Sequence, residues 1–261
     1  MKKIFLLGAM CAFSAVFAEV LWEAKSVRDF ENRRPVKAQE DGSYLVKKNA
    51  WVVGKPLFPT DPSKRYRVSC EVRALNDKAA AVKIRLGVTP RDVNKRGAGV
   101  SGVKPYAGTE TEVVSPVAKG DKVIKVKDAS KWIKNKPVIL VYDADPSGQM
   151  RDIPNFDFVS GRPVKWELKG DVWEVTLNRA ANVELSAGTV IRLHQDARAA
   201  IFSNGKALSK EWKSYEFILE PGISKDGTRS NQIFPGVAFI APLVTLPPDS
   251  EFRNYKFEVV E

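Results

Sequence analysis

The stretch that decides the fold is Arg65-Tyr66-Arg67-Val68-Ser69-Cys70-Glu71-Val72-Arg73-Ala74. Polar and apolar side chains alternate along it, and a period of two residues is typical of a strand with one face in a core and the other in solvent. Cys70 falls on the apolar side, which predicts a buried small hydrophobic residue rather than a reactive thiol. We therefore expect a half-buried β-strand here.

Similar short runs recur on both sides of this strand, whereas helical periodicity is almost absent. Gly, Pro, Asn and Asp separate the runs, a pattern typical of a β-sandwich or barrel. Lys169-Gly170-Asp171 predicts a tight hairpin turn, and Lys206–Lys213 alone predicts a short helical turn. The other predicted strands are Tyr44–Lys47, Ala81–Val88, Val123–Lys127, Val138–Tyr142, Val164–Leu168, Val172–Leu177, Val190–His194, Ser214–Leu219, Gly236–Ala241 and Tyr255–Val260. The sequence predicts an all-β protein.

Composition separates an outer part of the chain from an inner one. Residues 19–95 and 198–261 share one spacing of predicted strands. Residues 96–197 begin with a segment rich in Gly and Lys and then show a different spacing. Such a segment is typical of a linker or mobile loop. The predicted organisation is a signal peptide at 1–18, a sandwich formed by both outer parts, and an inserted small β module with its linker.

The outer part carries a resemblance to a known family. The strand from Lys64 to Ala74 resembles one of the galactose-binding-like, carbohydrate-binding jelly rolls, and Trp212, Tyr215 and Phe217 are similar to a later Trp-x-x-Tyr-x-Phe strand of those modules. Phe252–Val260 matches their closing strand. The resemblance covers about half of the mature chain and implies a jelly-roll sandwich that recognises a carbohydrate without catalysis. The inner part departs from this pattern and implies an insertion.

The first residues indicate export. Lys2 and Lys3 precede an apolar run that ends at Ala18, with small residues at the positions that signal peptidase reads. The run is too short to span a bilayer comfortably, and no later stretch is long enough. Cys11 fits a lipoprotein motif poorly. A cleaved signal places the mature protein in the periplasm, at the cell surface or in the medium.

Removal of the signal peptide changes the number of cysteines and the net charge. Cys70 becomes the only cysteine, so the mature chain has no internal disulfide. The net charge of +11 falls to +9 without Lys2 and Lys3. In the cytoplasm such a charge would indicate nucleic acid. Outside it, acidic glycans or an anionic surface are the expected partners, and plain solubility explains the charge equally well.

One loop follows the first half of a calcium-binding pattern. Asp143, Asp145 and Ser147 place oxygen atoms at alternate positions before a glycine, which suits a hard cation that needs several oxygens at once. The second half fails because Pro154 stands where a bidentate Glu belongs, although Asp152 lies close by. The sequence therefore predicts a possible calcium ligand set of Asp143, Asp145, Ser147 and Asp152, with an ordinary turn as the alternative.

No catalytic signature stands out. The chain has one histidine, His194, which ends a strand two residues before Asp196. A general base is imaginable there, but residues i and i+2 of a strand merely share a face. Serine-hydrolase, zinc-helix and phosphate-loop motifs are absent. Whether the protein is an enzyme stays open, with a binding role favoured, and no catalytic residue is assigned.

Aromatic residues beside basic loops are the best candidates for a glycan site, since sugar rings stack on flat aromatic faces. Trp51 and Tyr106 lie next to loops rich in Lys, Gly and Pro, with burial in the core as the alternative for each. Basic companions chosen by loop position are Lys104, Arg151 and Arg229. Trp166 and Trp173 share strand parity with apolar residues and are expected in the core, as is Trp132.

The leading hypothesis is a secreted, non-catalytic carbohydrate-binding protein, with acidic glycans among its candidate ligands. The first alternative is a lyase or glycoside hydrolase that acts on extracellular polysaccharide from a jelly-roll scaffold. The second is a structural or adhesive component of the cell envelope.

Overall fold

A computed structural model describes residues 18–197, 200–224 and 229–261. The predicted signal peptide lies outside the described residues except for Ala18, as does Cys11. Three helical segments occur in the described part, the 3₁₀ turns Val27–Asp29 and Val100–Gly102 and the helix α1 (Asp77–Ala80). The strands found there are β1 (Ala18–Glu23), β2 (Val36–Ala38), β3 (Tyr44–Val46), β4 (Ala50–Val53), β5 (Phe58–Pro59), β6 (Arg65–Ala74), β7 (Lys83–Arg91), β8 (Thr111–Glu112), β9 (Val123–Val126), β10 (Val138–Tyr142), β11 (Pro163–Lys169), β12 (Val172–Leu177), β13 (Val190–Gln195), β14 (Ile201–Phe202), β15 (Lys206–Ala207), β16 (Lys213–Ile223), β17 (Gln232–Ile233), β18 (Phe239–Leu246) and β19 (Ser250–Val260).

The outer strands form the sandwich that the sequence predicts. One sheet has the order β17-β16-β6-β19-β3-β2 with β1 added beside β19, and the other has the order β14-β7-β18-β4. Numbered one to eight along the chain, β3, β4, β6, β7, β14, β16, β18 and β19 therefore have the sheet orders 1-8-3-6 and 2-7-4-5, which is the arrangement of a jelly roll. The all-β class and the sandwich are confirmed.

The core of the sandwich follows from the alternation in β6. Tyr66, Val68, Cys70 and Val72 are each at most 2% exposed and face the second sheet. Burial raises the pKa of the Cys70 thiol far above its ordinary value, so the thiol stays protonated and packs as a hydrophobic group. The aromatic rings of the core contact one another in edge-on, tilted or stacked arrangements; they are Phe30, Tyr44, Phe252 and Tyr255.

The solvent face of the same sheet carries charge. Arg67 binds Glu258 at 2.8 Å, Arg73 binds Glu251 at 2.7 Å, and Arg253 binds Glu71 at 2.8 Å. The indole of Trp212 contacts two of these guanidinium groups, with ring-centre distances of 4.7 Å to Arg73 Cζ and 4.3 Å to Arg253 Cζ. We call these three ion pairs and Trp212 the arginine ladder.

The inserted strands form two small sheets, β10-β13-β8 and β11-β12-β9, and we call β8 to β13 the inner module. Its core is a second hydrophobic cluster, built from the inward residues of these strands together with Trp132. Trp132 is 5% exposed and its Nε1 donates to Thr109 O at 3.0 Å. The predicted hairpin is confirmed, because Lys169 pairs with Val172 and Gly170 takes a φ of 63° in the turn.

The inner module enters the sandwich between two neighbouring strands. It follows β7 and precedes β14, which pair with each other through Gly87 with Phe202 and Val88 with Ile201. A side chain at Gly87 would place its Cβ only 1.9 Å from Ile201 O. Glycine at this position therefore allows β14 to lie close against β7.

Some local predictions are wrong. Lys206–Lys213 holds no helical turn: β15 pairs with β7, and Tyr215 donates to Ala207 O at 3.0 Å. The one α-helix found in the described residues is α1, capped by the side chain of Asn76. The strand predicted at Gly236–Ala241 begins and ends later in the structure, where β18 runs from Phe239 to Leu246 and includes Pro242. Among the described residues, no helix is long and apolar enough to cross a membrane.

Candidate functional site

Trp51 lies on the solvent side of the second sheet. In β4 its neighbours Ala50 and Val52 are buried, which turns Trp51 outward with 37% of its surface exposed. Its ring contacts Phe202 edge-on at 5.3 Å between ring centres. Trp51 pairs across the sheet with Thr245 of β18, which in turn pairs with Arg85 of β7. The Trp51 ring, the Thr245 hydroxyl and the Arg85 guanidinium therefore belong to neighbouring residues on three adjacent strands.

A groove begins at Trp51. Its first part has a volume of about 410 Å³, and its polar or charged lining residues are Asn49, Lys83 and Thr245. A second depression shares Asn49, Val82 and Pro247 with the first and extends to Lys78 and Asp249. We call the joined depressions the Trp51 groove.

Tyr106 and Lys104 lie elsewhere, at the edge of the inner module. Tyr106 is half-buried and packs against the core of that module, and Lys136 Nζ lies 5.8 Å from its ring centre. Lys104 is half-buried, and its carbonyl accepts a hydrogen bond from Gln195 N at 2.9 Å. The structure brings this part of the predicted site next to Lys136 rather than next to Trp51.

Arg151 and Arg229 are engaged by neighbours on their own loops. Arg151 Nε lies 3.1 Å from Asp145 Oδ2, and the Arg229 guanidinium lies 3.5 Å from Gln232 Oε1. Both side chains belong to exposed residues. These two arginines therefore do not join Trp51 and Tyr106 in one cluster of contacts.

The predicted calcium loop is held by hydrogen bonds. Asp145 accepts bonds from the backbone N–H groups of Ser147 and Arg151, from the Ser147 hydroxyl at 2.7 Å and from Arg151 Nε. The Arg151 side chain, followed by these other donors, holds the pKa of Asp145 well below its usual range. Asp143 is exposed, with a φ of 54°.

The fourth predicted ligand, Asp152, faces an arginine. Arg192 Nη1 and Nη2 donate to its two carboxylate oxygens at 3.1 and 2.6 Å. Within the described ranges, no group of three or more His, Cys, Asp or Glu side chains is arranged to hold a metal ion. Arginines occupy oxygen atoms that calcium would need, and the calcium site stays a prediction.

Arg192 belongs to a set of ionisable groups in which Arg192 and His194 are fully buried and Asp152 and Glu110 are half-buried. Strand β13 is the middle strand of its sheet; Ile191 and Leu193 face the core of the inner module, and Arg192 and His194 share the opposite parity. Ile191, Arg192, Leu193 and His194 are all fully buried. Arg192 Nε donates to His194 Nε2 at 3.0 Å, and Glu110 Oε1 lies 3.7 Å from Arg192 Nη1. We call Arg192, Asp152, His194 and Glu110 the buried charge cluster.

The hydrogen bonds fix the protonation of His194. A guanidinium only donates, so Nε2 of His194 must accept and carries no proton. Nδ1 then donates to Ser101 O at 2.6 Å. Burial lowers the pKa of His194 to about 4, and the charge of Arg192 adds to the effect. Burial alone would raise the pKa of Asp152, but bonds from Arg192 and Asn155 hold it below its usual value.

His194 thus has no contact with solvent and both ring nitrogens are bonded. Its imagined partner Asp196 instead forms an ion pair with Arg162. A histidine in this position orients Arg192 and links β13 to Ser101, which precedes the inner module in the chain. The arrangement is that of a structural cross-link.

Sequence reasoning missed Arg192, because an arginine at an alternate strand position normally faces solvent. The sequence gives no signal for this burial, because Arg192 and His194 alternate with the apolar Ile191 and Leu193, which is the pattern of a strand with one face in solvent. No family model, curated protein or solved structure matches the chain.

Proposed function

We propose that this protein is an exported, non-catalytic carbohydrate-binding protein that takes a glycan in the Trp51 groove. The observation that carries the proposal is the partly exposed indole of Trp51 at the head of a groove lined by Asn49, Lys83 and Thr245. Aromatic faces beside a few convergent polar groups are the usual composition of ligand sites.

The chemistry of the groove suits a sugar chain. The C–H face of a pyranose ring can lie on the indole, and its hydroxyl groups can bond to the Asn49 amide and the Lys83 ammonium. The groove extends along the surface toward Lys78 and Pro248, so it offers length for more than one sugar unit.

Replacement of Trp51 by alanine tests the proposal. We expect Trp51→Ala to weaken retention on polysaccharide gels by about 10-fold or more, as is common for a central aromatic contact. Affinity electrophoresis of the mature protein in gels that contain one polysaccharide each provides the measurement. Trp212→Ala is the matched control, because Trp212 contacts Arg73 and Arg253 of the other sheet and does not line the Trp51 groove.

Three outcomes would count against the proposal. Unchanged retention of Trp51→Ala would place binding elsewhere. Release of new reducing ends from the polysaccharide would indicate an enzyme. Concentration-dependent self-association without retention on any glycan would favour a structural component of the envelope.

A further inference from the structure

A second cleft lies on the inner module and shares no lining residue with the Trp51 groove. The segment Lys134–Lys136, just before β10, forms one wall, and the first residues of β11 form the other. Strand β11 is an edge strand of its sheet, since it pairs only with β12. The cleft has a volume of about 460 Å³, and Trp166 lines it.

The walls of this cleft carry positive charge. Lys134, Lys136 and Lys165 line it against one carboxylate, that of Glu167, which leaves a net charge of +2. Glu167 is already bound by Lys165 at 2.9 Å and by Lys169 at 3.1 Å. In the part of the chain that the structure describes, neither Lys134 nor Lys136 forms an ion pair with a carboxylate. Both ammonium groups are exposed and available to an anion.

Trp166 is held in a fixed orientation. Its ring meets Trp132 edge-on, with 5.8 Å between ring centres, and it packs against the core of the inner module while staying half-buried. Trp132 Nε1 is bonded to Thr109 O. By contrast, no described residue accepts a bond from Trp166 Nε1, and this atom is not buried. One N–H donor beside an aromatic surface thus remains for a ligand.

Lys136 joins this cleft to a second aromatic ring. Its Nζ lies 5.8 Å from the ring centre of Tyr106, a distance at which the ammonium and the ring attract each other. The backbone of Asn135 has a φ of 64°, a turn that places Lys134 and Lys136 on the same cleft wall. Aromatic carbon, two unpaired ammonium groups and an amide therefore line one cleft.

We propose that this cleft binds a carboxylated sugar of an anionic polysaccharide. The carboxylate would lie between Lys134 and Lys136, and the sugar ring would lie against the exposed part of Trp166. A single-stranded nucleic acid also combines negative charge with stacking, but such sites usually present several stacking rings along a track. Among the described residues that line this cleft, Trp166 is the one aromatic residue, and Tyr106 lies beyond Lys136. The proposal does not depend on the Trp51 groove.

Polygalacturonate is a suitable probe, with its fully methyl-esterified form as the uncharged counterpart. We expect the mature protein to bind polygalacturonate at least about 10-fold more tightly than the ester, and Lys134→Gln with Lys136→Gln to remove this preference. Trp166→Phe keeps an aromatic ring against Trp132 but loses the N–H donor, so a smaller loss of about 3-fold is expected. Isothermal titration at 50 and 300 mM NaCl measures each affinity.

The matched control is Lys119→Gln with Lys122→Gln, two exposed lysines of the same region that do not line the cleft. This double variant removes the same charge and should keep the preference. An equal loss in both double variants would overturn the proposal, since it would reveal a general charge effect. Tighter binding of oligothymidylate than of polygalacturonate at the same salt would overturn it as well.

The Trp51→Ala variant separates the two proposals. Its binding to polygalacturonate should be unchanged if the Lys134–Lys136 cleft is a site of its own. Loss of polygalacturonate binding in Trp51→Ala, with no effect of the Lys134 and Lys136 replacements, would place the anionic ligand in the Trp51 groove and overturn the second site. Loss of binding to other polysaccharides alone would bear only on the Trp51 groove.

Discussion

The buried charge cluster and the arginine ladder use the same chemical pair, an arginine and a carboxylate, in opposite surroundings. The Arg192 side chain is 0% exposed and Asp152 is 11% exposed, whereas Arg253 is 38% and Glu71 28% exposed. The Arg192 and Arg253 contacts to carboxylate oxygen are 2.6 and 2.8 Å long. Distance alone therefore does not distinguish the two regions.

Solvent makes the difference. A surface ion pair gains little because water already solvates both charges and salt screens their attraction. A buried pair has lost that solvation, so each partner depends on the other. The ladder can lose a member and be rehydrated, but the buried charge cluster cannot. Three experiments test this contrast.

The largest effect is expected from Arg192→Met. Methionine fills similar space but removes the charged donor of Asp152 and the donor to His194 Nε2, so the Asp152 carboxylate keeps only its bonds from Asn155 Nδ2 and Asp145 N. Removal of one partner of a buried pair typically costs about 3–5 kcal/mol of unfolding free energy. Urea unfolding followed by tryptophan fluorescence measures it, since Trp132, Trp166 and Trp173 all lie in the inner module.

The double variant Arg192→Met with Asp152→Leu serves as the control. It removes both charges, so we expect it to recover part of the loss. A cost below about 1 kcal/mol for Arg192→Met alone would contradict the dependence of Asp152 on Arg192, because that is the range of exposed pairs.

The second largest effect is expected to be a pH dependence of the free energy of unfolding that is caused by His194. Its pKa is about 4 in the folded protein and about 6.5 in an unfolded chain. Between these pH values the unfolded chain binds a proton that the folded protein does not. The contribution of His194 to the free energy of unfolding is therefore fully present above about pH 6.5 and is lost as the pH drops toward 4. The loss reaches about 3 kcal/mol at most.

Comparison with His194→Gln isolates this contribution. The glutamine amide can accept from Arg192 and donate to Ser101 O but does not titrate. Urea midpoints at pH 7, 5.5 and 4.5 should therefore diverge, with the wild type losing more stability on acidification. Parallel curves for both proteins would show that His194 does not take part in the acid response.

The smallest effect is expected from Arg253→Met, the same replacement in the ladder. Loss of the pair with Glu71 and of the contact with Trp212 should cost about 1 kcal/mol or less. High salt should reduce this cost further, while it should leave the cost of Arg192→Met nearly unchanged. Unfolding of both variants at 50 mM and 1 M NaCl measures the difference. A larger loss for Arg253→Met than for Arg192→Met would reverse the comparison.

The strands that the sequence predicts correctly are those with a clear pattern of polar and apolar residues. Strands β6, β10 and β12 have the predicted bounds because polar and apolar residues alternate there or form a continuous apolar run. For the segment 206–213 the sequence predicts a short helical turn. In the structure β15 pairs with β7 instead, and such long-range pairing is not visible in one sequence.

The candidate site was only partly predictable. Trp51 was selected beside a loop, and it lies on a strand whose parity turns it outward. Trp166 was expected in the core, and it does pack there, but its position on an edge strand leaves part of the ring exposed. The sequence shows neither which strand forms the edge of a sheet nor which face another segment covers. For the same reason Arg192 could not be paired with Asp152.

The pairing of β7 with β14 has a consequence for the entropy of the chain. Closing a flexible loop becomes less favourable as it lengthens, by about 0.6 kcal/mol for each doubling of its length. The segment that joins Arg91 to Ile201 is long, but it contains a core of its own. Once the inner module has folded, its two ends are tethered, and closing the sandwich resembles closing a short hairpin. The sandwich could therefore accept a different folded insert at this point at little entropic cost.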